Sequence, residues 1–350
     1  MSPEELYMNR CLQLARLGAG AVLPNPMVGA VLVHDNRIIG EGYHKFYGGP
    51  HAEPNCINSV HASLQHQISS STLYVSLEPC SHFGKTPPCA DLIIRFRIPR
   101  VVIGCRDIFD KVNGRGIEKL IAAGVDVHTG VLEAECRDQN KRFFTLHGKK
   151  RPYVVLKWAE TGNGKIGYSG TNRLRITGRV TDMAVHKWRS EEGAIMVGTT
   201  TARHDNPRLT NRHWYGPSPV RVVIDKELSL PSDLHLFDQK VNTIIYNSLR
   251  NAEDSLNSYQ QADLTENGIR NILENLASRN ISSLMVEGGA RLTQSFIESG
   301  YWDEARIITN ESMIVEVGVA APQLKDHVFV KEQSSGQEKI RYYRHLQNVG

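Results

Sequence analysis

The sequence predicts an α/β protein made of two separately folded domains. Three observations lead to this class: the length of the chain, the alternation of short apolar runs with helix-like stretches, and a basic segment near the middle. At 350 residues the chain is about twice the usual size of one domain, so we expect two hydrophobic cores. The segment at residues 148–152, Gly-Lys-Lys-Arg-Pro, is typical of a linker. We therefore place the domains at residues 1–148 and 152–350.

The N-terminal half begins with a predicted helix. Ser2 is suited to cap it, Pro3 occupies the first helical position, and Glu5 can reach back to the cap as in a capping box. The helix should run to about Gly18. Two apolar runs on either side of Asp35-Asn36 then predict a β-hairpin. Strand and helix alternate after it, which predicts a layered structure around a mostly buried sheet. Further strands are expected at residues 72–77 and 100–105, and further helices at residues 52–64, 90–97, 116–123 and 132–147.

The C-terminal half shows the same alternation and predicts a separate α/β domain. It contains no internal repeat and no low-complexity tract. Strands are expected at residues 153–159, 194–197, 220–224, 243–246, 283–286 and 305–308, and helices at residues 181–191, 269–278 and 290–299.

Composition and charge indicate an ordinary globular protein. Hydrophobic residues make up 40% and charged residues 22% of the chain, and no stretch approaches the roughly 20 apolar residues of a membrane span. The first residues lack the basic start and apolar run of a signal peptide, so we expect a cytoplasmic protein with reduced cysteines. The net charge of +4 comes from scattered basic residues, which argues against a nucleic-acid partner. We further expect a homo-oligomer without a membrane partner.

One histidine and two cysteines form a candidate metal site. His51, Cys80 and Cys89 supply one imidazole and two thiolates, a donor set that suits Zn²⁺. Three protein ligands leave the fourth tetrahedral position to water, which is typical of a catalytic zinc site. Both ligand groups are expected near helix N-termini, which stabilise thiolates. The other cysteines stand in apolar or helical contexts and are interpreted as buried packing residues: Cys11, Cys56, Cys105 and Cys136.

Glu53 follows the histidine by two positions and is the candidate proton carrier. It can take a proton from the water and pass it to a leaving amine. Zinc deaminases of nucleobases carry H-x-E followed by P-C-x-x-C, whereas here Cys89 follows Cys80 by nine positions because residues 81–88 form an insertion. In the alternative interpretation His51 is a core histidine and the cysteines are small hydrophobic residues. A structural zinc site would need a fourth ligand, for which His82 is the candidate.

Three motifs of the N-terminal half are distinctive. They are Asn-Pro-Met-Val-Gly at residues 25–29, the run from Gly-Tyr-His to His-Ala-Glu at residues 42–53, and the run from Glu-Pro-Cys to Pro-Pro-Cys at residues 78–89. These motifs resemble the bifunctional deaminase-reductase of riboflavin biosynthesis. The resemblance implies a cytidine-deaminase-like three-layer domain followed by an α/β domain like dihydrofolate reductase. It covers nearly the whole chain, since residues 156–159, 176–177, 189, 197–201, 205–210 and 286–293 are similar to the reductase domain of that family.

The resemblance implies two consecutive reactions and two cofactors. One Zn²⁺ per chain would serve the deamination of a small phosphorylated pyrimidine, a diamino-hydroxy-phosphoribosylamino-pyrimidine, and NADPH would serve the reduction of its ribose to a ribityl chain. The deaminase pocket would be lined by Asn25, His44, His82 and Lys85. The reductase would contact its substrate through Arg173, Arg189, Leu209, Arg212 and Glu287. It would contact NADPH through Ala159, Arg175, Thr201, Asp205, Gly289, Ala290, Arg291, Leu292, Thr293, Gln294 and Ser295.

The chemistry of the reductase half agrees with these roles. Gly288-Gly289 joins a predicted strand to a predicted helix, where glycine lets the backbone approach a pyrophosphate and the helix N-terminus supplies amides. The turn is not the G-x-G-x-x-G of a Rossmann domain. Lys157 and Glu287 are the polar pair expected nearest the reacting carbon. The three arginines are expected to converge on one phosphate, because each guanidinium offers a two-pronged hydrogen bond.

Two positions depart from the pattern of the family. Asn163 stands where members commonly carry Asp, which would weaken a turn or a polar contact. Arg175 stands where an aromatic residue often precedes Ile-Thr, which would alter how the nicotinamide end is held. A reductase half without activity is therefore one alternative.

Two other classes of function are further alternatives. The same zinc chemistry acts on flipped bases, so the chain could be a tRNA-type nucleic-acid deaminase with a C-terminal binding module. That function predicts a basic, aromatic-rich surface in the second half, where the sequence predicts a regular α/β domain. A non-catalytic zinc-stabilised binding protein gives no reason for Glu53 or for an open ligand position.

Overall fold

The computed structural model describes residues 1–83, 87–109, 112–168, 174–265 and 267–348. The chain divides into two compact units, Met1–Lys149 and Lys150–Gly350. The division falls inside the basic segment at residues 148–152.

The first unit alternates helices and strands along its described residues. Its strands are β1 (Gly29–His34), β2 (Arg37–Tyr43), β3 (Thr72–Leu77), β4 (Arg100–Cys105) and β5 (Asp126–Thr129). Its α-helices are α1 (Pro3–Ala15), α2 (Ala52–Asn58), α3 (Cys89–Arg95), α4 (Arg115–Ala122), α5 (Glu133–Gln139) and α6 (Lys141–Lys149). The capping box predicted at the start of α1 is confirmed, and a short 3-10 turn at Arg16–Gly18 extends the helix.

A mixed sheet forms the middle layer of the first unit. In the described residues its strands follow the order β2-β1-β3-β4-β5, with β1 antiparallel to both neighbours and β3, β4 and β5 parallel. Alternate residues of a strand point to opposite faces. Leu32 of β1 therefore packs in one core with Ile93 of α3, while Val31 packs in the other with Met8 of α1 and Cys136 of α5. The predicted three-layer arrangement is confirmed.

The helix predicted at residues 52–64 ends earlier than expected, at Asn58. The Ser59 hydroxyl donates to the Cys56 carbonyl at 2.7 Å and accepts the Glu41 backbone N–H at 2.8 Å. Such side-chain bonds to the backbone compete with helix continuation. A 3-10 helix at Ala62–Ser70 completes the connection to β3.

The helix predicted at residues 132–147 is two helices, α5 and α6. Asn140 separates them, with φ −103° and ψ 20°. Strand β5 is absent from the prediction, because its sequence Asp-Val-His-Thr is polar and mostly exposed. The four cysteines predicted as packing residues are all buried: Cys11, Cys56, Cys105 and Cys136.

The second unit is a larger α/β structure. Its described strands are β6 (Tyr153–Thr161), β7 (Lys165–Tyr168), β8 (Ala194–Gly198), β9 (Val220–Ile224), β10 (Thr243–Asn247), β11 (Ala252–Asp254), β12 (Asn257–Gln261), β13 (Ser283–Val286), β14 (Glu304–Asn310), β15 (Gly318–Ala320), β16 (His327–Ser335) and β17 (Glu338–His345). Its α-helices are α7 (Arg179–Glu191), α8 (Thr199–Asp205), α9 (Gly268–Ser278) and α10 (Ala290–Glu298).

One long sheet organises this unit. In the described residues its strands follow the order β11-β12-β10-β9-β8-β13-β6-β14-β17-β16. Strands from β12 to β14 in that order are parallel, and the hairpin β16-β17 joins them antiparallel. Apolar cores cover both faces, one around Trp302 and Phe296 and the other around Trp188 and Leu236. The predicted second α/β domain is confirmed.

A buried ion pair lies where the chain enters the second unit. Arg151 donates two hydrogen bonds to Asp303, at 2.6 and 2.8 Å, and the Asp303 side chain is 1% exposed. Asp303 also accepts the backbone N–H of Val154 at 2.8 Å, at the start of β6. Arg151, predicted as part of a linker, is thus integrated into the second unit.

None of the helices in the described parts of the chain has the length and apolar character that crossing a bilayer requires.

Candidate active sites of the two units

The three predicted metal ligands meet at one point of the first unit. His51 precedes α2, Cys80 follows β3 and Cys89 begins α3, and their ligand atoms all lie within 4.8 Å of one another. The His51 Nδ1 is 3.6 Å from the Cys80 Sγ and 3.4 Å from the Cys89 Sγ. A tetrahedral zinc, with Zn–N near 2.05 Å and Zn–S near 2.3 Å, would separate nitrogen and sulfur by roughly 3.6 Å. The donor set therefore fits zinc in both chemistry and spacing.

Local hydrogen bonds favour the charged form of one thiol. The Cys89 side chain and His51 both hydrogen-bond to Cys80 and hold the pKa of its thiol well below the ordinary value. The backbone N–H of Cys89, at the start of α3, also donates to the Cys80 Sγ at 3.3 Å. The predicted placement of the thiols at a helix start is confirmed for this pair. A thiolate, not a thiol, is the form that binds zinc.

Glu53 lies in the first turn of α2 and is 3% exposed. Burial raises the pKa of its carboxyl group, and His51 and Cys80 are among its charged neighbours. A buried carboxyl group that holds a proton more readily than an exposed one is suited to proton transfer.

His44 and Asn25 form a hydrogen-bonded wall beside His51. The His44 Nδ1 lies 3.0 Å from the Pro50 carbonyl, which can only accept, so Nδ1 carries the proton. Its Nε2 then accepts from the Asn25 amide at 3.2 Å. Burial lowers the pKa of His44, which favours this neutral form. The His44 ring packs edge-on against His51, with centroids 5.4 Å apart.

The other two predicted pocket residues are His82 and Lys85. The buried Nδ1 of His82 has no hydrogen-bond partner among the described residues, and its ring lies 6.2 Å from Phe109. A buried polar atom that lacks a hydrogen-bond partner, two residues after Cys80, favours a position in which the His82 ring contacts a bound substrate. Lys85 lies outside the described residues.

Glu78 is a site residue that the sequence interpretation missed. Its buried carboxylate follows β3, two residues before Cys80, and accepts four backbone N–H groups. The donors are Asp107 (3.2 Å), Gly114 (3.0 Å), Gly116 (3.0 Å) and Ile117 (3.4 Å). The last three lie at the N-terminus of α4, where a negative charge is stabilising. Because a Cβ on Gly116 would stand 2.0 Å from the Pro79 carbonyl, α4 packs directly under the Cys80 turn.

Asn140 is a second residue that was missed. Its side chain accepts the Met27 backbone N–H at 2.8 Å and donates to the Met27 carbonyl at 2.9 Å. Asn140 is 2% exposed. The break between α5 and α6 therefore serves to fix the loop that carries Asn25. No local pattern identifies this contact, because 113 residues separate its partners.

The second unit brings a carboxylate and two cations together beside the end of strand β13. Val286 pairs with Leu156 in the parallel ladder of β13 and β6, so Glu287 and Lys157 are adjacent. Arg189 of α7 binds Glu287 in a bidentate pair, at 2.8 and 2.6 Å, while the Lys157 Nζ is 4.0 Å away. The predicted Lys157–Glu287 pair is thus a triad whose closest contact is with Arg189.

The triad is almost fully buried. The side chain of Glu287 is 5% exposed, that of Arg189 12% and that of Lys157 14%. Burial acts to raise the pKa of Glu287, but Arg189 and Lys157 outweigh it and lower the value to about 2. Burial lowers the pKa of Lys157. Glu287 is therefore a carboxylate at neutral pH, held by two cations.

The glycine turn lies beside the predicted cofactor residue Thr201. Gly289 has φ 78°, and a Cβ there would stand 3.0 Å from the Thr201 hydroxyl. The turn leads into α10, and α8 begins after the adjacent strand β8. Two helix N-termini therefore lie side by side, which suits a pyrophosphate. The predicted cofactor residues Ala290, Arg291, Leu292, Thr293, Gln294 and Ser295 form the first turns of α10, Thr201 and Asp205 belong to α8, and Ala159 lies in β6.

Arg212 and Leu209 lie on the segment after α8. The Arg212 guanidinium donates to the Thr210 hydroxyl at 2.9 Å. Its pKa is lowered by burial and by the neighbouring cations Arg189 and Arg208. Leu209 is 2% exposed and has φ 51°. Since Glu287 already engages Arg189 and Arg173 lies outside the described residues, convergence of three arginines on a phosphate stays a prediction.

The two positions that depart from the family pattern have defined contacts. Asn163 accepts the Thr161 hydroxyl at 2.7 Å and donates to the Val315 carbonyl at 2.9 Å. That its contacts are weaker than those of an aspartate stays a prediction. Arg175, 77% exposed, pairs with Asp182 at 3.1 Å near the start of α7.

Comparisons with known proteins decide the family. Residues 1–105 match the family model of the cytidine and deoxycytidylate deaminase zinc-binding region, and residues 152–314 match the RibD C-terminal domain. The riboflavin biosynthesis protein RibD of Aquifex aeolicus is 39% identical over 304 residues, which cover 85% of this chain and 84% of that protein. The chain belongs to the RibD family.

Other RibD proteins extend the match. RibD of Bacillus amyloliquefaciens is 38% identical over 330 residues, covering 92% of this chain and 87% of that protein. The crystal structure of a diaminohydroxyphosphoribosylaminopyrimidine deaminase/5-amino-6-(5-phosphoribosylamino)uracil reductase from Thermotoga maritima matches with a TM-score of 0.89 and 36% identity, covering 98% of this chain and 99% of that one. The predicted fold, a cytidine-deaminase-like domain followed by a dihydrofolate-reductase-like domain, is confirmed.

Membership of the RibD family also confirms the predicted class of function. The chain is a bifunctional enzyme of riboflavin biosynthesis with a zinc-binding deaminase domain and a reductase domain, which imply Zn²⁺ and NADPH as cofactors. This function is supported over a nucleic-acid deaminase with a binding module. The roles of individual residues stay predictions.

Proposed function

We propose that residues 1–148 deaminate 2,5-diamino-6-(5-phosphoribosylamino)pyrimidin-4-one and that residues 152–350 then reduce its ribosyl group to ribityl. The observation that carries the proposal is the grouping of His51, Cys80 and Cys89 at zinc spacing beside the buried Glu53. The Thermotoga maritima protein, named for both reactions, supports the choice of substrate. Homo-oligomeric assembly and a cytoplasmic location stay predictions.

In the first unit His51, Cys80 and Cys89 would hold zinc. When bound, the metal acts as a Lewis acid that makes water nucleophilic at neutral pH. Glu53 would carry a proton from that water to the departing amine, because it is buried and the pKa of its carboxyl group is raised. Asn25 and the neutral His44 would orient the pyrimidine edge, since their mutual hydrogen bond fixes the direction of the amide.

Removing one thiol tests the metal site. Loss of a residue that only hydrogen-bonds to a metal ligand weakens metal binding by roughly 10–100-fold. Cys80→Ser replaces a thiolate ligand itself by a hydroxyl group, so we expect a larger loss of zinc affinity. Zinc per chain, measured by atomic absorption after dialysis, should fall from one to near zero, and deamination should disappear. Reduction of supplied deaminated substrate should persist. Full zinc content in the variant would contradict the ligand assignment.

In the second unit the Gly288-Gly289 turn and the N-terminus of α10 would bind the pyrophosphate of NADPH. When bound, the cofactor supplies hydride to the sugar carbon. Glu287 would hydrogen-bond the sugar, and Lys157, kept near it by the same carboxylate, would donate a proton to the sugar oxygen. Burial lowers the pKa of Lys157, which makes its ammonium a better acid.

A side chain on the glycine turn tests the cofactor site. Gly289→Val should raise the dissociation constant of NADPH at least about tenfold, because its Cβ would meet Thr201 and its side chain would block the approach to the amides. Fluorescence titration measures this dissociation constant. Gly300→Val is the matched control: Gly300 has φ 69° at the other end of α10, but nothing lies within 4 Å of its Cβ position. Equal weakening in both variants would refute the site.

The experiment that tests the whole function supplies the phosphoribosylaminopyrimidine with and without NADPH. Mass spectrometry should find the deaminated product in both samples and the ribityl product only with NADPH. Reduction without prior deamination would contradict the proposed order, and absence of both products would refute the proposal.

A further inference from the structure

A strained segment borders the reductase site. Leu209 adopts a left-handed backbone, φ 51°, although it is neither glycine nor asparagine and is 2% exposed. That conformation is unfavourable in a residue with a branched side chain, so the surrounding structure must hold it. The segment leads to Arg212, which the sequence predicts to contact the phosphorylated substrate.

Helix α7 holds this segment at two points. The Arg189 Nη1 donates to the Thr210 carbonyl at 3.3 Å, and the His186 Nδ1 accepts the backbone N–H of Arg212 at 2.9 Å. Because residues three apart lie on one face of a helix, His186 and Arg189 act on the same stretch. The helix that fixes Glu287 through Arg189 thus also fixes the backbone of Arg212.

The surroundings of His186 favour the neutral imidazole, which can accept a hydrogen bond. It is 4% exposed, and the ring of His213 packs edge-on against it with centroids 4.6 Å apart. Burial, followed by the cations Arg189 and Arg212 and by His213, lowers the pKa of His186 to about 4, while Glu287 acts in the opposite direction. The imidazole is therefore neutral near pH 7. An accepting Nδ1 places its proton on Nε2.

We propose that His186 is a positioning residue of the reductase: it fixes the backbone of Arg212 and so directs that guanidinium to the anionic group of the substrate. The proposal rests on the proposed function and on the predicted contact of Arg212 with the phosphorylated substrate. His186 is itself not among the residues predicted to bind the cofactor or the substrate. His186 acts through one hydrogen bond, and loss of that bond should affect substrate binding more than turnover.

Two variants of similar polarity separate this role from general support of the fold. His186→Asn keeps an acceptor near the Nδ1 position, whereas His186→Gln moves it about one bond further from the backbone. We expect His186→Gln to raise KM for the deaminated, phosphorylated substrate about tenfold, equivalent to roughly 1.4 kcal/mol. Its kcat should change less than about threefold, and His186→Asn should restore KM to within about threefold of the parent.

The control variants make the outcome decisive. Val185→Ala removes a buried side chain from the same helix and should lower the melting temperature without moving KM. In an Arg212→Ala background the exchange of His186 for Gln should leave KM unchanged, since the two residues act in series. A KM that is equal in the Asn and Gln variants, or a full effect without Arg212, would overturn the proposal. Failure of the parent enzyme to reduce the substrate would instead refute the proposed function.

Discussion

Glu53→Gln should retain zinc and lose deamination by about 10²- to 10⁴-fold in kcat. Glutamine keeps the shape of the side chain, so the buried first turn of α2 should remain packed. It cannot accept and return a proton at the pH of the assay. Release of ammonia under saturating substrate measures kcat, and zinc per chain is measured on the same sample.

The exposed Glu118 provides the matched control for this exchange. Glu118→Gln lies on α4 of the same unit and should change neither zinc content nor turnover. Reduction of supplied deaminated substrate should be unaffected in both variants. If zinc-replete Glu53→Gln turned over at more than about a tenth of the parent rate, another group would have to carry the proton.

Glu287→Gln should lower the free energy of unfolding of the second unit by about 3–5 kcal/mol and abolish most reduction. The exchange leaves Arg189 and Lys157 buried without the carboxylate that pairs with both. Chemical denaturation followed by tryptophan fluorescence measures the loss. Glu274→Gln, whose carboxylate makes an exposed ion pair with Arg270 on α9, is the control and should leave the free energy of unfolding nearly unchanged.

The same carboxylate predicts a dependence of stability on pH. Its pKa is about 2 in the folded protein and near 4.3 in an unfolded chain, so the folded state binds the proton less well. The stabilisation, on the order of 3 kcal/mol, is complete above about pH 4.3 and disappears as the pH falls toward 2. The stability difference between the parent and Glu287→Gln should shrink over this interval. A difference that stays constant from pH 5 to 2.5 would show that the carboxylate is not the stabilising group.

Much of the fold could be predicted because its central strands are apolar runs between turn residues. The strands around Val31, Val102 and Met285 are buried on both faces, and their sequences reflect it. The hairpin β16-β17 was missed for the opposite reason. Strand β16 lies at the sheet edge and is mostly exposed, so its residues are too polar to show a buried face.

Some residues of the candidate sites could likewise be predicted from the sequence, and others could not. His51, Cys80, Cys89 and Glu53 could be found from the sequence because their side-chain chemistry is rare and their spacing is constrained. Glu78, Asn140 and His186 act instead through hydrogen bonds to backbone groups 26 to 113 residues away. Backbone groups carry no residue-specific pattern, so these contacts become visible only when the chain is folded.

The Arg151–Asp303 pair determines where the two halves of the chain can be separated. A reductase fragment that starts at Pro152, the boundary expected from the linker composition, would lack Arg151 and with it the bidentate contact to the Asp303 carboxylate, which is 1% exposed. Removing one member of a buried ion pair costs about 3–5 kcal/mol, a large part of the stability of an average domain. A fragment that starts at Lys150 keeps the pair. For dissection of the two activities, or for fusion of either half to another enzyme, the cut therefore belongs before Arg151.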